Sequence, residues 1–146
     1  MEVPEIMNVG IVGAGTIGAM LAFRLATFGK EVYVYDVSAR AVQHSIGLNA
    51  TWVTERTGTG VLTRDEASQI LSRLHPCATL GDCVGMAELV IEAAPEKLEI
   101  KRQVFAEIDH LAEKLDAENL ETVAAPGEGD DPPRVKPKPP GRGFSF

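Results

Sequence analysis

A glycine-rich turn near the amino terminus most constrains what this chain can fold into. The spacing G-x-G-x-x-G is formed by Gly13, Gly15 and Gly18. It follows the apolar, largely β-branched run of residues 9–12, which is typical of a buried strand. In such a strand–turn–helix unit, the glycines allow a tight turn, close approach of a pyrophosphate, and close packing of helix on strand. The helix N-terminus, with the N–H groups of Thr16 and Ile17, would face the phosphates.

An acidic residue at the end of a second strand makes this interpretation specific. Residues 31–36 are predicted to form a second strand that ends in Asp36, which lies 18 residues beyond Gly18. The carboxylate that binds an adenosine ribose is expected about 20 residues after the glycines. Three glycines alone would fit any loop that needs positive φ. Strand, helix and acid together predict a dinucleotide site, and the carboxylate favours NAD over NADP because it would repel a 2′-phosphate.

Composition disfavours several other classes of partner. The chain has 146 residues and a formal net charge of −7, so it lacks the basic balance that nucleic acid or an anionic membrane requires. No apolar run reaches the ~18 residues of a transmembrane helix. The two cysteines, Cys77 and Cys83, favour reduced thiols in a cytoplasmic protein and lack the spacing of a metal site. We expect a cytoplasmic protein without a metal, nucleic-acid or membrane partner.

The rest of the pattern predicts an α/β domain with a doubly wound, Rossmann-type parallel sheet. We expect this sheet to be incomplete, with about four strands and a helical hairpin inserted after the second strand. Ser38 would cap the first helix of the hairpin, and the capping box of Thr63 and Glu66 would open the second. The other predicted elements are a helix over 16–28, strands over 77–80 and 89–94, and a helix over 96–115.

Composition changes after about residue 115. Residues 126–146 contain six of the nine prolines, which predicts a disordered tail over 116–146 after an NAD-binding domain over 1–115. A proline-rich ligand for a partner domain is the alternative. With no strand beyond it, the fourth strand would be an exposed apolar edge, which predicts self-association.

Over residues 7–115 the chain resembles the NAD-binding domain of L-3-hydroxyacyl-CoA dehydrogenases. Three segments carry the resemblance: VGIVGAGTIGAMLAFRLATFGKEVYVYD, TRDEASQILSRL and LVIEAAPEKLEIKRQVFAEID. The first is shared with 6-phosphogluconate-like β-hydroxyacid dehydrogenases, whereas the third is particular to the hydroxyacyl-CoA family. The resemblance implies that Asp36 binds the ribose and that Glu96 and Lys101 line the cofactor cleft. It also implies NAD-dependent oxidation of 3-hydroxyacyl-CoA to 3-oxoacyl-CoA in fatty acid metabolism, with acyl-CoA as substrate.

The resemblance ends after the long helix. The family continues into a fifth strand, a catalytic histidine with its glutamate, and a helical domain, and these motifs do not appear in residues 116–146. His44, His75 and His110 match none of the catalytic positions and are expected at the surface or at helix ends, so no catalytic residue is assigned. We expect a truncated member of the family that is inactive alone, with a frameshift as one explanation of the change in sequence pattern. The alternatives are a non-catalytic dinucleotide-binding module or a fragment of a β-hydroxyacid dehydrogenase.

Overall fold

A computed structural model describes residues 5–93, 98–114 and 121–124. The strands are β1 (Asn8–Val12), β2 (Glu31–Tyr35), β3 (Leu74–Pro76), β4 (Leu89–Glu92) and β5 (Glu121–Ala124). They form a sheet in the order β3-β2-β1-β4-β5, and each neighbouring pair is parallel. Because β1 lies between β2 and β4, the chain reverses its direction of winding across β1. This confirms the predicted doubly wound sheet and sets a switch point between β1 and β4.

Helices cover both faces of the sheet. They are α1 (Thr16–Thr27), α2 (Ala39–Gly58), α3 (Arg64–Ser72), α4 (Leu80–Met86) and α5 (Leu98–Lys114). Adjacent residues of a strand point to opposite faces, and Ile11 accordingly packs with α1, α2 and α3, whereas Val12 packs with α4 and α5. The two apolar clusters formed in this way hold β1 at the centre of the domain.

Local hydrogen bonds explain where the inserted hairpin begins and how it attaches. The Ser38 hydroxyl accepts a bond from the Ala41 N–H at 3.3 Å and caps α2. Thr63 and Glu66 form the predicted capping box, with bonds of 3.1 and 2.7 Å. The buried Asn49 amide donates to the Ala19 carbonyl oxygen of α1 at 3.2 Å. The hairpin of α2 and α3 is therefore built as the sequence predicted and is fastened to α1.

Two predictions about the strands are wrong. The third strand is β3 over Leu74–Pro76, not residues 77–80, and it pairs with Val32–Val34 of β2. The described residues form five strands, one more than the expected number of about four. β4 is not a sheet edge, because Leu89–Glu92 pairs with Glu121–Ala124. This removes the structural basis for self-association through β4.

The fifth strand lies within the segment that the sequence assigned to a disordered tail. Residues 121–124 contain Thr122 and Val123, both β-branched and therefore favourable in a strand. The rest of that segment, residues 116–120 and 125–146, lies outside the described residues, and its disorder stays a prediction. None of the described helices is long and apolar enough to cross a membrane.

Candidate cofactor site

The glycine turn joins β1 to α1 at the carboxyl edge of the sheet. Gly13 has φ of 115°, a left-handed conformation that favours glycine, and its N–H donates to the Tyr35 carbonyl oxygen at 2.8 Å. A Cβ at Gly18 would lie 2.0 Å from the Gly13 carbonyl oxygen. Glycine at position 18 is therefore required for α1 to approach β1 this closely, as the motif predicted.

The protein's own structure does not require glycine at position 15. It has φ of −74° and ψ of −169°, which any residue can adopt, and no atom lies within 4 Å of the position a Cβ would take. Neither backbone strain nor protein packing therefore demands glycine there. The space beside its backbone is open to a ligand.

The first turn of α1 presents backbone donors at the same place. Gly15 is the N-cap residue and makes no side-chain capping bond, and the first turn contains no acidic residue. The first intrahelical bond runs from the Ala19 N–H to the Gly15 carbonyl oxygen at 2.9 Å. The three preceding N–H groups have no acceptor within the helix, and the side chains of Thr16 and Ile17 are exposed. Backbone N–H groups and the positive end of the helix dipole are suited to hold an anion there.

Asp36 lies at the tip of β2, next to this helix start. Its Oδ2 accepts a hydrogen bond from the Ala14 N–H at 2.9 Å, inside the glycine turn. Its Oδ1 accepts from the Ser38 N–H at 2.8 Å, at the beginning of α2. An ionised carboxylate has about four acceptor positions, so each oxygen can still accept a bond from a ligand hydroxyl. The side chain is half-buried and held by backbone on both sides.

A cleft of about 330 Å³ opens on the other side of Asp36. It lies between the ends of β2 and β3 and the first turn of α2, and most of its wall is apolar or small. Its lining residues are Tyr35, Asp36, Val37, Ala39, Val42, Gln43, Pro76, Cys77 and Ala78. Val37 is 89% exposed, although an apolar side chain gains nothing from water contact. The cleft is thus suited to a largely apolar group attached to the group that Asp36 holds.

The predicted residues after β4 are described only in part. Glu96 lies outside the described residues. The backbone of Lys101 belongs to α5, whose side-chain placement is not described at that position. The sequence analysis did not single out Glu92, which is 1% exposed at the end of β4 and opposite Val12 of β1. The sequence feature that could have pointed to Glu92 is its position as a charged residue in an otherwise apolar strand.

The histidines lie away from the glycine turn. His44 of α2 and His110 of α5 are exposed, as expected. His75 lies within β3, where its Nε2 is 2.6 Å from a Glu31 carboxylate oxygen and its ring stacks on Tyr33 at 4.8 Å. Its side chain is 40% exposed, as expected for a surface histidine. The strand pairing brings His75 beside Tyr33.

Comparison with known proteins agrees with this geometry. Residues 8–116 match the family model described as 3-hydroxyacyl-CoA dehydrogenase, NAD binding domain. The chain belongs to the 3-hydroxyacyl-CoA dehydrogenase family. The match covers β1 to α5, and it identifies the cofactor of the domain as NAD.

Relatives of this family show how far the likeness extends. The chain is 37% identical over 105 residues to the 3-hydroxyadipyl-CoA dehydrogenase of Escherichia coli, covering 71% of this chain and 22% of the relative. It is 34% identical over 106 residues to the 5-formyl-3-hydroxy-2-methylpyridine 4-carboxylate 5-dehydrogenase of Mesorhizobium japonicum, covering 73% and 33%. The crystal structure of an E. coli 3-hydroxybutyryl-CoA dehydrogenase superposes with a TM-score of 0.71 at 28% identity, covering 83% and 30%. The chain thus spans between about a fifth and a third of these relatives' lengths.

Proposed function

We propose that this chain binds NAD at the glycine turn and supplies the cofactor-binding part of a dehydrogenase that oxidises a 3-hydroxyacyl-CoA. The observation that carries the proposal is the position of Asp36. Its carboxylate is fixed 2.9 Å from the Ala14 N–H, beside a helix start whose first-turn N–H groups are available. A ribose hydroxyl on Asp36 and a pyrophosphate at Gly15 would then be parts of one ligand.

Each half of the ADP group has a suitable environment in the described residues. The open space at Gly15 and the N–H groups of Thr16, Ile17 and Gly18 suit the pyrophosphate. Asp36 suits the adenosine ribose, and the cleft behind it suits adenine. NAD, when bound, supplies the hydride acceptor for oxidation of the hydroxyl carbon. The chain's own residues bind and orient the cofactor for that step.

Glu96 and Lys101 belong to the proposal through the family motif. In this sequence both follow β4 closely: Lys101 belongs to α5, and Glu96 lies in the segment between β4 and α5 that is outside the described residues. Ligands of open parallel sheets bind beyond the carboxyl ends of the strands at a switch point such as that between β1 and β4. We assign both to the cofactor cleft on that basis.

Calorimetry with NAD and ADP-ribose tests the site. Because the described contacts are all suited to the ADP part, we expect the two ligands to bind with similar affinity. Replacing Thr16 with valine keeps the backbone donors and serves as a control for side-chain effects at the helix start. A large advantage of NAD over ADP-ribose would contradict binding through the ADP part.

The substrate is the less direct part of the proposal. The similar 3-hydroxyadipyl-CoA and 3-hydroxybutyryl-CoA dehydrogenases support a 3-hydroxyacyl-CoA as substrate. The similar fatty acid oxidation complex subunit alpha of Pseudomonas entomophila supports a role in fatty acid metabolism. The similar pyridine-carboxylate dehydrogenase favours a second candidate, a ring-bearing alcohol or aldehyde. Oxidation of NADH with acetoacetyl-CoA, compared with the pyridine aldehyde, distinguishes the two. We expect turnover only when the parts of the protein beyond this domain are present, and none from the 146-residue chain alone.

Location and assembly extend the proposal. A cytoplasmic location is supported by the two cysteines, which are both free. A fluorescent fusion followed by cell fractionation would test it. Self-association is now expected at the outer edge of β5, the last strand of the sheet order. Sedimentation velocity over a range of concentrations would detect it, and a purely monomeric boundary would rule it out.

A further inference from the structure

A buried asparagine joins α2 to α1 one turn behind the proposed pyrophosphate position. Asn49 is fully buried. Its Nδ2 donates to the Ala19 carbonyl oxygen of α1 at 3.2 Å and to the Ser45 carbonyl oxygen of its own helix at 2.9 Å. Ala19 is also the residue whose N–H makes the first intrahelical bond of α1, to the Gly15 carbonyl oxygen. Asn49 therefore contacts the residue that closes the first turn of the proposed phosphate-binding helix.

The same helix α2 supports the proposed ribose position. Its N-cap residue Ser38 donates its N–H to the Asp36 carboxylate at 2.8 Å. The carboxylate and α1 are thus both attached to α2, the first at its start and the second at Asn49. The bond from Asn49 is therefore one of the contacts that set where the first-turn N–H groups of α1 lie relative to Asp36.

Apolar packing between the two helices does not fix this position by itself. The helices also meet through Phe23 and Trp52, whose ring centroids are 5.8 Å apart in an edge-to-face arrangement. Burial of apolar surface is non-directional, whereas a hydrogen bond requires a defined distance and angle between donor and acceptor. The bond from Asn49 to Ala19 therefore specifies the register of α1 on α2, which apolar contacts alone would leave free to slide.

Stability does not account for an asparagine at position 49. Within the described part of the chain, the Asn49 Oδ1 and the Ser45 Oγ have no hydrogen-bond partner. Both side chains are fully buried on the same side of α2. A buried polar atom without a partner costs free energy, and a leucine of similar size at position 49 would avoid that cost. The feature that leucine could not supply is the bond to α1.

We propose that Asn49 is a positioning residue for the pyrophosphate, because its bond to Ala19 holds α1 so that the first-turn N–H groups point to one site. The inference rests on the proposed function, since the phosphates in question are those of NAD at the glycine turn. Asn49 lies between α1 and α2 and contacts no cofactor atom itself. Its loss should weaken ligands that carry the pyrophosphate and should spare adenosine, which would contact Asp36 and the cleft.

Asn49→Leu in the whole chain tests the inference. We expect its Kd for ADP-ribose, measured by calorimetry, to rise about two- to tenfold, the range that one hydrogen bond contributes. Its Kd for adenosine, measured by ligand-observed NMR, should stay unchanged, and its Tm should stay the same or rise. Ser45→Ala is the matched control, because it removes the other unpartnered polar atom and leaves the bond from Asn49 to α1. This control should bind both ligands like the wild-type chain.

Backbone amide chemical shifts of the ligand-free chain test the position of α1 directly. The amide signals of Thr16, Ile17 and Gly18 should shift in Asn49→Leu and stay in place in Ser45→Ala. Unchanged signals in Asn49→Leu would show that the bond does not set the position of the first turn, and the inference would fail.

The binding measurements can also overturn the inference. Equal affinity of Asn49→Leu and the wild-type chain for ADP-ribose would do so. An equal loss of affinity for ADP-ribose and adenosine would do so as well, since it indicates a general loosening of the fold. Failure of the wild-type chain to bind ADP-ribose would instead contradict the proposed function and this inference together. If Asn49→Leu does not fold, Asn49→Ser takes its place, because a serine hydroxyl bonds to the carbonyl four residues earlier in its own helix and the bond to α1 is lost.

Discussion

Replacing Asp36 with alanine removes the carboxylate on which the cofactor assignment depends. Two backbone donors lose their acceptor at once, the Ala14 N–H in the glycine turn and the Ser38 N–H at the start of α2. The first bond is partly buried and the second is exposed, so water can replace only the second readily. The variant therefore tests both the ligand contact and the support of the turn, and the two effects have different magnitudes.

The stability cost follows from the Ala14 N–H. A buried donor left unsatisfied costs about 1–3 kcal/mol, and partial burial places this one near the lower end. A loss of about 1 kcal/mol lowers the Tm of a domain of this size by roughly 3–4 °C. The affinity cost is larger. A hydrogen bond to a charged group contributes about 1.5–3 kcal/mol, which corresponds to a roughly 10- to 150-fold rise in the Kd for NAD.

Titration calorimetry with NAD and NADP, beside a thermal melt, separates the two effects. Loss of the ribose contact should lower the affinity for NAD strongly. The affinities for NAD and NADP should also become more similar, because the carboxylate no longer repels the 2′-phosphate. A turn that had merely distorted would weaken both cofactors equally. Glu66→Ala is the matched control, since it removes a carboxylate that accepts one backbone bond, from the Thr63 N–H at 2.7 Å, far from the turn.

The assignment of Asp36 would be refuted by one clear result. If Asp36→Ala binds NAD as tightly as the wild-type chain while melting at the expected lower temperature, the carboxylate supports the turn and does not contact the cofactor.

Three further predictions concern the glycines and the thiols. Gly18→Ala should lower the stability by about 1–3 kcal/mol and also lower the affinity for NAD, because its methyl group would lie 2.0 Å from the Gly13 carbonyl oxygen. A thermal melt and titration calorimetry would measure the two effects. Gly15→Ala should change the stability by less than about 1 kcal/mol, since its Cβ meets no atom within 4 Å. It should nevertheless lower the affinity for NAD, and an unchanged affinity would argue against the proposed phosphate position. The hydrogen bond with Cys83 lowers the pKa of Cys77, so iodoacetamide should alkylate Cys77 at a lower pH than it alkylates an unperturbed cysteine. In Cys83→Ala the pH at which Cys77 reacts should rise, and mass spectrometry of samples alkylated at several pH values would show this.

The part of the fold that the sequence predicted well is the part built by local rules. The glycine motif, the Ser38 cap and the Thr63–Glu66 capping box each depend on residues a few positions apart. All three were found as expected. The reason for glycine at position 18 was also readable from the spacing, since only close helix–strand packing explains it.

The strands that were misplaced depend on distant partners. The expected third strand, residues 77–80, begins directly after Pro76. In the structure Pro76 is the last residue of β3, which is a terminal strand of the sheet. Proline is tolerated in such a strand. β5 has four residues and lies in a polar segment, so its local signal is weak, and pairing with β4 decides its conformation.

The bonds of Asp36 also explain how the site is held before any ligand arrives. One oxygen is fixed by the turn after β1 and the other by the start of α2, so the carboxylate is oriented by two elements on either side of it. A side chain that is already ordered loses little conformational entropy when a ribose binds. Because the same turn carries Gly13 and Gly15, the proposed positions of the pyrophosphate and the ribose keep a fixed separation. The proposed recognition of one end of the dinucleotide therefore depends on the pairing of β1 with β2. Substitutions that leave this pairing intact should change the affinity without abolishing the preference for ADP-containing ligands.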